Sequence, residues 1–279
     1  MEIKTSNQNA AEEHIRRATA VIPNFFTVGN LACGFFAIVA AFEGRWIAAP
    51  TAIFVGHFLD ILDGRIARWM KTPSEFGMQF DSFADWISFG IAPAVMIYLI
   101  VLHVYKDLGF WLAFFYIFCG AFRLTRYNLK TSVNGGPSLN FVGLPIPVAG
   151  GFLAILVLLF GLFDNGNQGR TMDLIYRQIP LLKQGIPIIV FGLSFLMISK
   201  VQYTTFKRIH IFRPKSLPPF LITLFVVFMI YTYPENTILF LYSGYVVWGI
   251  INTFWRARRI QKHSASGPKL LYSGKKHEK

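Results

Sequence analysis

Eight runs of about twenty predominantly apolar residues limit what this chain can fold into: 23–43, 47–70, 80–105, 108–126, 143–163, 185–203, 217–233 and 237–255. A helix rises about 1.5 Å per residue, so each run reaches across most or all of the roughly 30 Å hydrocarbon core of a bilayer. Inside lipid, every backbone N–H and C=O must find a partner within the protein, and a helix meets that condition by itself. The expected fold is therefore all-α: a polytopic integral membrane protein with about eight transmembrane helices. Composition agrees, since 54% of the 279 residues are hydrophobic and only 15% are charged, far from the balance of a soluble domain.

A net charge of +13 would suit nucleic acid, but the basic residues fall at the ends of the apolar runs and not on one solvated surface. No nucleic-acid partner is expected. Counted on alternate sides, 22 of the 27 Lys and Arg fall with the N-terminus, the turns at 65–71 and 123–130, the 200–215 loop and the tail after 255. The positive-inside rule then puts both termini in the cytoplasm, consistent with an even number of spans across a bacterial-type cytoplasmic membrane. Residues 1–22 are polar and lack the apolar core of a signal peptide; within them, 11–22 can lie as a helix on the membrane surface. Residues 256–279 read as a basic tail drawn to anionic headgroups. Cys33 and Cys119 both sit in apolar runs and read as packing residues, not as a disulfide or a metal site.

Against this background, "LDILDGRIARWMKTPSEFGMQFDSFADWISFG" at 59–90 is out of place. Asp60, Asp63, Gly64 and Ala67 recur at i, i+3, i+4 and i+7, a single helix face that Arg68 extends. Asp81 and Asp85 follow at i and i+4 on the next helix, with Gly77 one turn earlier. Pro73 breaks the chain between them, and Ser74 can cap the helix that begins near Glu75. Two acidic faces thus oppose each other near one membrane surface. One Asp near a helix end is commonly a solvated cap. Four carboxylates left unpaired in apolar spans would cost on the order of 10 kcal/mol, at about 2.5–3.5 kcal/mol each, and Arg65 and Arg68 cannot neutralise all four. Oxygen ligands without Cys or converging His suit Mg²⁺ or Mn²⁺, and two facing pairs suffice for two ions. Such ions clamp a phosphoryl group during displacement, so phosphoryl or phosphatidyl transfer is the expected chemistry. Gly64, Ala67 and Gly77 leave room for a nucleotide against the backbone, although small residues also serve close helix packing.

The spacing Asp60-x-x-Asp63-Gly64-x-x-Ala67-Arg68, eight residues, then Gly77-x-x-x-Asp81-x-x-x-Asp85 resembles the signature of the CDP-alcohol phosphatidyltransferase family at every fixed position. Three further stretches resemble its phosphatidylserine synthase branch: "IPNFFTVGNLACGFFAI" (22–38), "FGMQFDSFADWISFGIAPA" (76–94), and "FRLTRYN" followed by "FVGLPIPVAGG" (122–128 and 141–151). Phe122, Thr125 and Tyr127 depart from the residues usual in that branch. The resemblance implies a six-helix catalytic core, here 23–203, followed by two additional spans within 217–255. It also implies dependence on Mg²⁺ or Mn²⁺, a homodimer, and transfer of a phosphatidyl group from CDP-diacylglycerol to L-serine with release of CMP. Carried over position by position, Asp60, Asp63, Asp81 and Asp85 would hold metal, with Asp85 also the general base. Gly64, Ala67, Arg68 and Gly77 would contact the cytidine diphosphate.

Arg123 and Arg126, at i and i+3 near the end of the fourth span, offer cations for the serine carboxylate or a lipid phosphate; anchoring at the interface is the competing role. Asn30, polar at membrane depth, either faces the pocket or bonds a neighbouring helix. His57, one turn before Asp60, would support the site from behind. The runner-up function is the same chemistry on glycerol 3-phosphate, inositol phosphate or choline. From a different class comes a cation transporter built on the Asp cluster. A transporter would spread acidic residues through the bilayer depth and repeat its halves, whereas here they gather on one hairpin.

Overall fold

In a computed structural model, described over residues 24–70, 75–133, 140–164, 178–204, 224 and 227–265, the apolar runs are helices packed side by side. Helix α1 (Asn24–Phe42) ends in a tight cap. Gly44 takes φ +71°, its N–H bonds the Ala41 carbonyl at 3.1 Å, and the Arg45 N–H bonds Ala40 at 2.8 Å. This double bond over a left-handed glycine satisfies the last carbonyls of α1 and reverses the chain. Helix α2 (Ala48–Met70) then runs back to the end from which α1 started.

The third span is one continuous rod of three parts: α3 (Glu75–Asp85), a π-turn (Trp86–Ile91) and α4 (Ala92–Ile100). Pro93 explains part of this. It has no N–H to offer the Phe89 carbonyl, and the Tyr116 hydroxyl donates to that carbonyl instead, at 3.0 Å. The Ala92 N–H reaches back five residues to Ile87, the wide register of a π-turn, a feature frequent at functional sites. Sequence periodicity predicts a plain helix here, because a π-turn leaves no local pattern.

A 3₁₀ turn (Leu102–Tyr105) leads into α5 (Lys106–Val133). Strand β1 (Asn140–Val142) precedes α6 (Ile146–Asp164), and α7 (Ile179–Ile198) is followed by β2 (Gln202–Thr204). The two strands form an antiparallel ribbon with Phe141 opposite Tyr203, a small addition to an otherwise helical fold. Gly143, at φ +89°, turns β1 into α6, so the Gly143-Pro145-Pro147 stretch is a turn and a first helical turn. Helix α6 is apolar on all sides, and 13 of its 19 residues are buried, as expected of the helix at the centre of the bundle. Helix α8 (Pro234–Ala265) packs against α6 and β2.

Among the described residues, six helical spans are long and apolar enough to cross a bilayer; α2, at 23 residues, falls within their range of lengths but carries Asp60, Asp63, Arg65 and Arg68. The protein is therefore an integral membrane protein. Of the expected span 217–233, Leu224 and residues 227–233 are described, and all but Tyr233 are helical. The rest of that span, residues 1–22, the Pro73 and Ser74 turn, and the basic tail beyond Ala265 lie outside the described residues. Residues 256–265 of that tail continue α8.

Candidate active site

Helices α2 and α3 meet at one end of the bundle with their acidic faces together. One carboxylate oxygen from each of Asp60, Asp63 and Asp81 lies within 4.8 Å of the other two. Asp85, one turn beyond Asp81, stands apart from this close trio but within the field of all three charges. Asp63 and Asp85 are 5% and 8% exposed, so protein has replaced most of their water.

Helix α1 holds the acidic faces in place. Thr27 Oγ1 donates to Asp63 Oδ2 at 3.0 Å, and Asn30 Nδ2 donates to Asp85 Oδ1 at 3.2 Å. Ser88 Oγ, in the π-turn, donates to the Asn30 carbonyl at 2.9 Å. Glycines let the helices come this close: a Cβ on Gly56 would stand 2.9 Å from Asn30 Oδ1, and one on Gly34 would overlap Ser88. Asn30 thus bonds a neighbouring helix, and through it a carboxylate of the site. Thr27 escapes a reading of the sequence alone. Its one signal is i, i+3 spacing with Asn30 in an apolar helix.

Gly64, Ala67 and Gly77 are partly buried on the two acidic helices, and Arg65 is exposed; the Arg68 side chain is outside the described residues. The two arginines of α5 part company. Arg123 is only 6% exposed, its charge acts on Asp60 and Asp85, and among the described residues it makes no hydrogen bond or ion pair. Arg126 is spent on backbone: Nη1 donates to the Ile198 carbonyl at 2.7 Å, and Nη2 to Val142 at 2.8 Å and Met197 at 3.3 Å. It clasps the end of α7 to β1. Two residues on, the Asn128 amide donates to Ser82 Oγ at 3.0 Å and to Gln79 Oε1 at 3.4 Å, fixing α3 against α5.

The donor set suits a divalent cation. Three carboxylates converge, and Asp81 Oδ1 is buried without a hydrogen-bond partner among the described residues, a costly arrangement unless something else occupies it. Among the described residues no His or Cys joins them, which favours a hard, oxygen-seeking ion.

The model of the CDP-alcohol phosphatidyltransferase family matches residues 20–192. The chain belongs to this family. It is a membrane-embedded transferase of phospholipid biosynthesis, and the four aspartates described above fall inside the matched region. Over 234 residues it is 32% identical to the CDP-diacylglycerol–serine O-phosphatidyltransferase of Helicobacter pylori, covering 83% of this chain and 90% of that one. The enzyme of the same name from Bacillus subtilis is 34% identical over 187 residues, 67% of this chain and 92% of its own. The archaetidylserine synthase of Methanothermobacter thermautotrophicus is 31% identical over 186 residues, 65% of this chain and 69% of its own.

Proposed function

We propose that this phosphatidyltransferase uses L-serine as acceptor, converting CDP-diacylglycerol and serine to phosphatidylserine and CMP. The observation that carries the choice of acceptor is Arg123: a buried guanidinium beside the acidic cluster, with no hydrogen bond or ion pair among the described residues, suits an acceptor that bears a carboxylate and does not suit choline. The Helicobacter and Bacillus relatives, both named CDP-diacylglycerol–serine O-phosphatidyltransferase, support the same acceptor.

Asp60, Asp63 and Asp81 would hold Mg²⁺ or Mn²⁺, with Asp85 completing the donor set for a second ion. Bound there, the metal would draw charge from the diphosphate and stabilise departing CMP. Gly64, Ala67 and Gly77 let the cytidine diphosphate approach the backbone of α2 and α3, and Arg68 meets its phosphate oxygens. Asn30 holds Asp85 Oδ1, which leaves the second oxygen of Asp85 to take the proton of the serine hydroxyl. The serine oxygen then bonds to the phosphorus that carries diacylglycerol, the P–O bond to CMP breaks, and CMP leaves with the electron pair. Arg123 keeps the serine carboxylate away from the four aspartates. The same reading puts the site and both termini on the cytoplasmic side, from the distribution of Lys and Arg, and two copies of the chain in a homodimer.

The test is CMP release by purified protein with CDP-diacylglycerol and Mn²⁺ or Mg²⁺, comparing L-serine, glycerol 3-phosphate, inositol phosphate and choline, with Asp85→Asn alongside. Serine-dependent release that the variant loses is expected. Release with another alcohol instead would overturn the acceptor and retain the family.

A further inference from the structure

His57 is the point where four elements converge. It lies on α2, three residues before Asp60, so its side chain leaves the same side of the helix one turn away. Its ring meets Phe89 of the π-turn edge-on, with centroids 5.4 Å apart. A backbone hydrogen bond joins it to Pro147 in the first turn of α6. Its Nδ1 stands 3.4 Å from the hydroxyl of Tyr242 on α8, and the two rings are edge-to-face at 6.3 Å. Two adjacent glycines of α6 admit these partners: a Cβ on Gly150 would collide with the Phe89 backbone, and one on Gly151 with the Tyr242 hydroxyl.

The chemistry assigns the protons. A carbonyl can only accept, so a ring N–H faces Pro147, and a neutral imidazole then has one nitrogen left to accept. The Tyr242 hydroxyl is placed to donate to it. With both ring nitrogens engaged and Phe89 packed against it edge-to-face, the ring fixes how α2 is rotated against α6 and the π-turn, and so where Asp60 points.

We propose that His57 and Tyr242 are positioning residues for the Asp60 carboxylate, through which α8 sets the affinity of the acidic cluster for its divalent cation. Helix α8 begins at Pro234, beyond the family match that ends at 192, so this contact is not part of the region that defines the family. The proposal rests on the metal reading above. Groups that orient a ligand from behind typically change metal affinity or activity about 10–100-fold when removed. Tyr242, one contact further out, should act more weakly.

The experiment is titration of the purified full chain with Mn²⁺, reading free ion by electron paramagnetic resonance, alongside CMP release and the thermal midpoint. It compares wild type, Tyr242→Phe, His57→Gln and the double variant. Tyr242→Phe removes one oxygen and should weaken Mn²⁺ about 3–10-fold and lower kcat in parallel, with an unchanged KM for CDP-diacylglycerol and an unchanged midpoint. His57→Gln should weaken Mn²⁺ about tenfold or more, and the double variant should be no worse, because Tyr242 acts through His57. Wild-type affinity in both single variants, or losses that multiply in the double variant, would overturn the proposal. If the wild type itself bound no Mn²⁺, the metal reading would fall first, and the thermal midpoints would show whether the variants are otherwise intact.

Discussion

Replacing Gly56 by Ala tests how closely the geometry of α1 governs the chemistry. The new methyl would stand 2.9 Å from Asn30 Oδ1 and 3.3 Å from Cys33 Cβ, inside ordinary contact with the amide by roughly 0.5 Å. The Asn30 amide must retreat, and its bond to Asp85 Oδ1 is already 3.2 Å long; a shift of that size takes it out of hydrogen-bonding range. A hydrogen bond to a charged group contributes about 1.5–3 kcal/mol. At about 1.36 kcal/mol per decade of rate, kcat for CMP release at saturating CDP-diacylglycerol and serine should fall about ten- to a hundredfold. Overpacking should also cost about 1–3 kcal/mol of stability, read as a lower thermal midpoint. Asn30→Ala should lose a similar factor in kcat. In the Gly56→Ala/Asn30→Ala double variant the methyl occupies space that the amide has vacated, so kcat should be no lower than with Asn30→Ala alone. Wild-type kcat for Gly56→Ala, or a double variant whose loss is the product of the two single losses, would refute the reasoning.

Other substitutions separate roles that look alike in the sequence. Arg126→Ala strips the donor from three carbonyls, at about 1–3 kcal/mol for each one left buried, so the thermal midpoint should drop while KM for serine stays constant. Arg123→Gln should do the reverse, raising KM for serine about tenfold or more with little change in midpoint; equal effects of both on KM would remove the distinction. Tyr116→Phe orphans the Phe89 carbonyl and should cost about 1–3 kcal/mol, measured as a lower midpoint. Asp81→Asn should abolish Mn²⁺ binding, and chelation of the wild type should stop CMP release until Mn²⁺ or Mg²⁺ is restored; chelator-resistant release would contradict the metal assignment.

Much of this was legible because helical spacing is local. The apolar runs locate the spans, and the i, i+3 and i+4 recurrences around Asp60, Asp63, Asp81 and Asp85 name a shared face before any neighbour is known. What could not be read is which helix that face meets. Asn30 is visible as a polar residue at membrane depth, but its service to Asp85, 55 residues away, depends on Gly56 admitting α1. Arg123 and Arg126 share the same local pattern and diverge because the ends of β1 and α7 offer carbonyls to Arg126 alone. Tyr242 lies 185 residues from His57, beyond any periodicity.

The π-turn at Trp86–Ile91 carries one residue more than an α-helical turn would, and that extra residue acts as a phase setter between the acidic α3 and the buried α4. Wound as a plain α-helix at unchanged length, 86–91 would feed that extra residue into the regular spiral. Everything beyond the turn would then swing by about 100° and advance by about 1.5 Å relative to α3. Ala92, Ala94, Met96 and Ile97, all buried, would be turned toward new neighbours while Asp81 and Asp85 stayed in place. The wide turn thus sets the rotation of α4 against α3: a residue more or fewer elsewhere in the rod, where no wide turn absorbs it, would uncouple the carboxylates from the helix that anchors them.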